Sequence, residues 1–220
     1  MLTSPDVTAA PDATLQTVSI PGPAGRLEGL LRSPAVPAGA AVVAHPHPRH
    51  GGTMHTKVVQ RAAKLLSGRF SLAALRFNFR GVGTSEGAYD DGRGETDDVV
   101  AAGKWVRARQ PAGPFVVAGF SFGSLCALHA SPRLAPDVLF LIGLPIDRWD
   151  GAAPAAEPWR VVWIQGEDDE FSPVAKARSV AGARGWTFLS VPGADHFFAR
   201  KLDEFEKTAG GALAETLAGL

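Results

Sequence analysis

The sequence predicts a three-layer α/β domain, a mostly parallel sheet with helices on both faces and an antiparallel hairpin at its N-terminal edge. Three observations lead there. From about residue 40 to the C-terminus, short apolar runs alternate with stretches of helical periodicity. Most of those runs are apolar at nearly every position, as strands buried on both faces tend to be. The chain opens differently, with two strand-like stretches around a turn rich in proline and glycine at residues 21–25.

Each element has its own signal. Residues 1–13, rich in Pro, Ala, Asp and Thr, read as a flexible tail, leaving 14–220 as a single domain. "LQTVSIPGPAGRLEGLLRSP" supplies the hairpin, and "GAAVVAHP" is a buried strand ended by proline. Residues 55–68 place Val58, Val59, Ala62, Leu65 and Leu66 at helical spacing, with Gly68 as the expected stop. "FSLAALRFNF" is a strand. "GETDDVVAAGKWVRARQ" is a helix, its acids leading and its bases trailing as the helix dipole favours. "PFVVAGF" is a strand and "SFGSLCALHAS" a short apolar helix. "DVLFLIGLP" and "RVVWIQG" are two further buried strands. "SPVAKARSVAGA" is a helix and "WTFLSVPG" a strand. Residues 197–220 form a final helical region, broken at Gly210 and Gly211.

Composition narrows the function classes. The 220 residues suffice for one domain with a sizeable core. Lys and Arg number 22, as do Asp and Glu, so net charge makes no case for nucleic acid or an anionic membrane as partner. Cys126 is the single cysteine, so no intrachain disulfide forms, which fits a reducing compartment. The first residues lack the basic start and apolar run of a secretion signal, and no stretch is apolar for long enough to span a bilayer. The expectation is a cytoplasmic protein, and nothing in the sequence specifies an oligomeric state.

The chemistry-bearing motif lies where "PFVVAGF" meets the next helix. "GFSFG", residues 119–123, is a G-x-S-x-G sequence between a predicted strand and a predicted helix, the context that gives this motif meaning. Gly119 and Gly123 leave room for a sharp turn that projects the Ser121 hydroxyl. The plainer reading is that Ser121 caps the helix. A serine hydroxyl needs a base to become a nucleophile, and the base needs an orienting acid. The expected order is Ser, then Asp or Glu, then His. The loop "EDDEFSP" holds Glu167, Asp168, Asp169 and Glu170. The G-x-x-D-x-x-x-P frame from Gly166 to Pro173 selects Asp169, with Asp168 as the fallback. His196, in "VPGADHFF" after the last strand, is the candidate base, with Phe197 and Phe198 placed to shield its ring from water.

With these pieces in place, the chain resembles the α/β-hydrolases over nearly everything from residue 26 onward. "HPHPRHGGTMHTKVV" followed by "RFNFRGVGTSEG" is most similar to small, cap-less bacterial serine hydrolases and carboxylesterases related to dienelactone hydrolases. Dienelactone hydrolases use a cysteine nucleophile, so lactone specificity does not carry over to Ser121. The resemblance implies an oxyanion hole with two backbone donors, the N–H of Phe122 and one from the "HPHP" loop. Proline has no N–H, which leaves His47. Many relatives carry a helical cap where this chain has only residues 144–159, so the resemblance implies an open pocket suited to small or short-acyl esters. Phe79, Trp149 and Phe197 are candidate pocket walls.

Three histidines within residues 45–50 also raise a metal reading, since H-x-H-x-D-H collects zinc ligands in one group of hydrolases. Here Arg49 stands where the aspartate would, and the further ligands such a site requires are missing. No metal and no organic cofactor is therefore expected. The leading expectation is a serine carboxylesterase with a Ser121–Asp169–His196 triad and a small-molecule ester substrate. The alternatives are the same triad acting on thioesters, lactones or peptides, and a non-catalytic binding protein of the same fold.

Overall fold

The computed structural model of the protein describes residues 13–148 and 158–220. The tail expected before residue 13, and Trp149, therefore lie outside the described residues. In chain order the elements are β1 (Thr14–Gly22), β2 (Gly25–Ser33), β3 (Gly39–Ala44), α1 (Lys57–Arg69), β4 (Leu72–Phe77), α2 (Arg93–Arg109), β5 (Phe115–Phe120), α3 (Phe122–Leu134), β6 (Val138–Ile142), β7 (Arg160–Gly166), α4 (Val174–Arg184), β8 (Thr187–Val191) and α5 (Leu202–Ala218). The eight strands form one sheet in the order β1-β2-β4-β3-β5-β6-β7-β8. Strands β3 to β8 pair in parallel, and the β1–β2 hairpin joins β4 antiparallel at one edge.

The wholly apolar strands are explained by what covers them. Along β3, Ala40, Val42 and Ala44 face a core shared with α2, α3 and α4, while Ala41 and Val43 face a second core shared with α1 and α5. Strands β3 to β7 each feed two hydrophobic layers at once, so a polar residue on either side is tolerated only where it finds a partner.

Three expectations are corrected. Gly68 does not end α1, which runs on to Arg69. Helix propensity at one glycine is a loss of only about 1 kcal/mol, and Val58, Val59, Ala62, Leu65 and Leu66 are all buried on the helix's inner face. The final helix is not broken at Gly210–Gly211 and starts only at Leu202. A Cβ on Gly210 would lie 2.4 Å from the Arg69 guanidinium, so that glycine serves close packing of α5 on α1. Residues before Leu202 turn instead, with Phe198 and Arg200 at φ 53° and 60°. Helix α3 extends past Ser131 and contains Pro132 in its last turn. Proline leaves the carbonyl four residues back unpaired, and the Ser131 hydroxyl donates to that carbonyl, Leu128 O, at 2.7 Å.

The β4–α2 connection is fixed by charge. The Arg80 side chain and backbone N–H donate to Asp98 at 2.8–3.0 Å, with both residues buried. This pair and the Asn78–Ser85 contacts hold the R-G-x-G-x-S segment under the carboxyl ends of the strands. Ligands gather beyond that end in open sheets of this kind.

Candidate active site

The turn between β5 and α3 carries the strain expected of an exposed nucleophile. Ser121 has φ 55° and ψ −123°, a conformation L-residues avoid and that costs roughly 1–3 kcal/mol. The flanking glycines make it possible by close approach. A Cβ on Gly119 would sit 2.1 Å from the Gly123 carbonyl oxygen. One on Gly123 would sit 2.4 Å from the His45 carbonyl oxygen. The start of α3 is therefore pressed against both β5 and the end of β3.

Three elements bring their side chains into one line. The Ser121 hydroxyl donates to His196 Nε2 at 2.8 Å, and His196 Nδ1 donates to Asp169 Oδ2 at 2.7 Å. Asp169 is 6% and His196 2% exposed, so water is excluded from their contact. Of the four acids in this loop, Asp169 is the buried one, whereas Asp168 is exposed and uses its backbone N–H on Ala194 O. Glu170 accepts from the His196 backbone N–H at 3.3 Å, which helps hold the loop that carries His196.

The acid has supports that sequence reasoning missed. Phe171 N–H donates to Asp169 Oδ1 at 2.8 Å. The Gln165 amide donates to Oδ2, and Trp163 Nε1 donates in turn to Gln165 Oε1 at 2.8 Å. The available signal was Gln165 itself, a polar residue at a fully buried position of an otherwise apolar strand.

Aromatic rings surround the imidazole. Phe120, Phe171 and Phe197 have centroids 5.1, 4.9 and 5.2 Å from that of His196. Phe171 and Phe197 are 55% and 50% exposed, so each shows a face to solvent beside the imidazole. Phe198 points inward against Phe205 and takes no part in shielding His196. Phe79 is fully buried, its ring edge-on to His45 and Phe122, so it backs the site from within the core and is not an open wall.

The histidine loop has a structural account. His45 is fully buried, and both ring nitrogens are engaged. Nδ1 donates to Pro46 O at 2.6 Å, and Nε2 accepts from Phe79 N–H at 3.0 Å. The ring thus ties the end of β3 to the segment after β4. His47 accepts the Arg49 N–H on Nδ1 at 3.2 Å and meets the Tyr89 hydroxyl through Nε2 at 3.1 Å. Its ring lies 4.8 Å from that of Phe122, so the loop runs alongside the residue that follows Ser121. The backbone N–H groups of His47 and Phe122 carry no hydrogen bond among the described residues. His50 is exposed, its ring 4.6 Å from that of His47. Among the described residues no group of His, Cys, Asp and Glu is arranged to hold a metal ion. Burial pushes the Cys126 thiol well above its ordinary pKa, so it is not a competing nucleophile.

Burial holds the His45 imidazole at a pKa of about 4, against an ordinary 6.5. The unfolded chain therefore takes up a proton that the folded chain refuses. The stability this provides is complete above pH 6.5 and is lost as pH falls toward 4. The expected loss is on the order of 3 kcal/mol. Urea unfolding across that range should show it, and His45→Asn should flatten that part of the curve. An unchanged slope in the variant would assign the acid lability elsewhere.

Residues 50–190 match the model of a family described as having the alpha/beta hydrolase fold. A Xanthomonas campestris protein, described as an α/β serine hydrolase without a lid, is 36% identical, with a TM-score of 0.86 over 92% of this chain and 95% of its own. An α/β serine hydrolase homologue from Coxiella burnetii is 32% identical, with a TM-score of 0.84 over 90% of this chain and 97% of its own. An uncharacterised protein of Rickettsia prowazekii is 35% identical over 199 residues, which is 84% of this chain and 83% of that protein. No helix among the described residues is long and apolar enough to cross a membrane.

Proposed function

This chain belongs to the α/β-hydrolase fold family, and from that premise we propose that it is a cap-less serine carboxylesterase acting on small or short-acyl esters. The observation that carries the reading is the hydrogen-bonded line from a strained serine through a buried histidine to a buried aspartate, at 2.8 and 2.7 Å. In the proposed reaction, His196 Nε2 takes the proton from Ser121 as Oγ attacks the ester carbonyl carbon. Asp169 keeps the imidazole in the tautomer that can accept that proton and stabilises the imidazolium that results. The tetrahedral oxyanion is held by the N–H groups of Phe122 and His47. The first sits at the start of α3, where helix N–H groups have no intrahelical partner and the dipole favours negative charge. A donor of this kind is worth about 2.7–4 kcal/mol in the transition state. His196 then gives its proton to the departing alcohol, leaving an acyl-serine. Water, activated by the same imidazole, releases the acid and restores the hydroxyl.

The exposed faces of Phe171 and Phe197 support an open, apolar mouth beside the base, and the small-molecule substrate reading rests on them. A fluorophosphonate probe tests the assignment. The expected result is a single adduct on Ser121, found by mass spectrometry, together with hydrolysis of short nitrophenyl esters that survives exhaustive chelation. Adduct on another residue, or ester hydrolysis without labelling of Ser121, would overturn it.

A further inference from the structure

We propose that the cleft between the β1–β2 hairpin and α1 is a second ligand site, one that takes a small phosphate-bearing anion. The cleft encloses about 500 Å³, and none of Ser121, Asp169 and His196 lines it. Five cationic side chains do: Arg32, Lys57, Arg61, Lys64 and Arg76. The chain as a whole has no net charge, so this concentration is local.

Its construction is legible element by element. Lys57, Arg61 and Lys64 follow at helical spacing, so α1 presents them on one face. Arg32 on β2 pairs with Ala74 on β4, and Arg76 lies two residues further along β4. The two arginines are therefore diagonal neighbours on one face of the sheet. That face carries Leu72 and Ala74 into the core under α1 and α5. At Arg76 the same row turns cationic.

Four of the five cations carry no countercharge among the described residues. Arg76 is only 8% exposed, and among the described residues its side chain donates to a neutral group, the Met54 carbonyl, at 2.7 Å. Arg32 Nε is buried with no hydrogen-bond partner among the described residues. Among the described residues, no carboxylate reaches ion-pair distance of Arg32, Lys57, Lys64 or Arg76. Arg61, the fifth cation of the cleft, and Arg80, outside it, are treated differently. Arg80 is matched by buried Asp98, and Arg61 by Asp203 and Glu206. Burial and the Arg32 charge together hold the Arg76 guanidinium below its ordinary pKa, a cost that a bound anion would remove.

The charge selects the ligand class. Four unmatched cations exceed what a single carboxylate can neutralise, whereas a phosphate monoester or pyrophosphate brings two or more charges. Guanidinium forks match phosphate oxygens in a bidentate way, and the ammonium groups add point charges. Leu15, Ala63 and Leu202 also line the cleft and offer an apolar wall for the body of such a ligand.

The test uses the full chain with pyrophosphate and inorganic phosphate, followed by calorimetric titration and thermal shift, with sodium chloride at matched ionic strength as control. Saturable binding of pyrophosphate, tighter than phosphate and weakened by salt, is expected in the wild type and equally in Ser121→Ala. The double variant Lys57→Glu/Lys64→Glu changes two exposed residues and should lose at least about tenfold in affinity. Without ligand it should unfold at the same temperature as the wild type or higher, because like charges no longer face each other. Arg32→Gln should weaken pyrophosphate binding in the same direction. Absence of saturable binding, or affinity unchanged in both variants, would overturn the proposal. Binding of an acidic peptide with none of pyrophosphate would also overturn it, making the cleft a protein-docking surface.

Discussion

Replacing Ser121 with alanine should lower kcat for a short nitrophenyl ester by about 10⁶-fold, the scale seen when a triad loses its nucleophile, while leaving the fold in place. Both halves of that expectation come from local geometry. The hydroxyl's side-chain partner is His196, so its removal costs the core nothing. Alanine also keeps a Cβ at φ 55°, so the strain of the turn is unchanged. Urea midpoints of the two proteins should agree closely. What remains is the oxyanion pocket and the binding surface, which alone give about 10³–10⁴-fold over water. A variant that retained wild-type turnover would exclude a serine nucleophile at this position. An inactive wild type with an intact fold would return the chain to the alternative of a non-catalytic binding protein.

How far the site was legible depends on which residues carried it. The positions of Ser121, Asp169 and His196 follow from local chain punctuation, because glycine and proline mark where apolar strands end. Strand β7 was readable to its ends for the same reason, Arg160 and Gly166 closing an apolar run. Helix boundaries were less so. Pro132 and the Gly210–Gly211 pair are breakers by propensity, yet both sit inside helices. In each case a specific contact outweighs the propensity: within α3 a serine hydroxyl caps the freed carbonyl, and in α5 a glycine admits a neighbouring arginine. The second contact joins residues far apart in the chain, and periodicity carries no information about it.

The "HPHP" loop shows a second kind of limit. Sequence reasoning found a reason for the two prolines around His47 but none for His45. The structure supplies it, because an imidazole with one donor and one acceptor suits a buried carbonyl on one side and a buried N–H on the other. The Phe79 N–H on Nε2, together with the Pro46 carbonyl on Nδ1, occupies both ring nitrogens, one of which a metal ligand would need.

Asp169→Asn should lower kcat by about 10⁴-fold, the scale of losing the correct imidazole tautomer in a triad. The hydrogen-bond count around Asp169 explains why an amide of nearly the same shape fails. Three donors converge on its two oxygens: Phe171 N–H on Oδ1, and His196 Nδ1 with the Gln165 amide on Oδ2. Asparagine offers one oxygen and one NH₂ group. If its oxygen stays with Phe171, the NH₂ group faces His196 and drives the ring proton to Nε2, where it can no longer accept from Ser121. If the oxygen faces His196, the NH₂ group meets the Phe171 N–H head-on. Gln165 cannot relieve either arrangement by rotating its amide, because Trp163 Nε1 holds its oxygen at 2.8 Å. The carboxylate is therefore the group this pocket accepts in a form that keeps the base competent. Asp168→Asn is the matched control. That side chain is exposed and should leave kcat within about twofold. A large loss in Asp168→Asn, with Asp169→Asn near wild type, would move the orienting acid by one residue and with it the role assigned to Gln165.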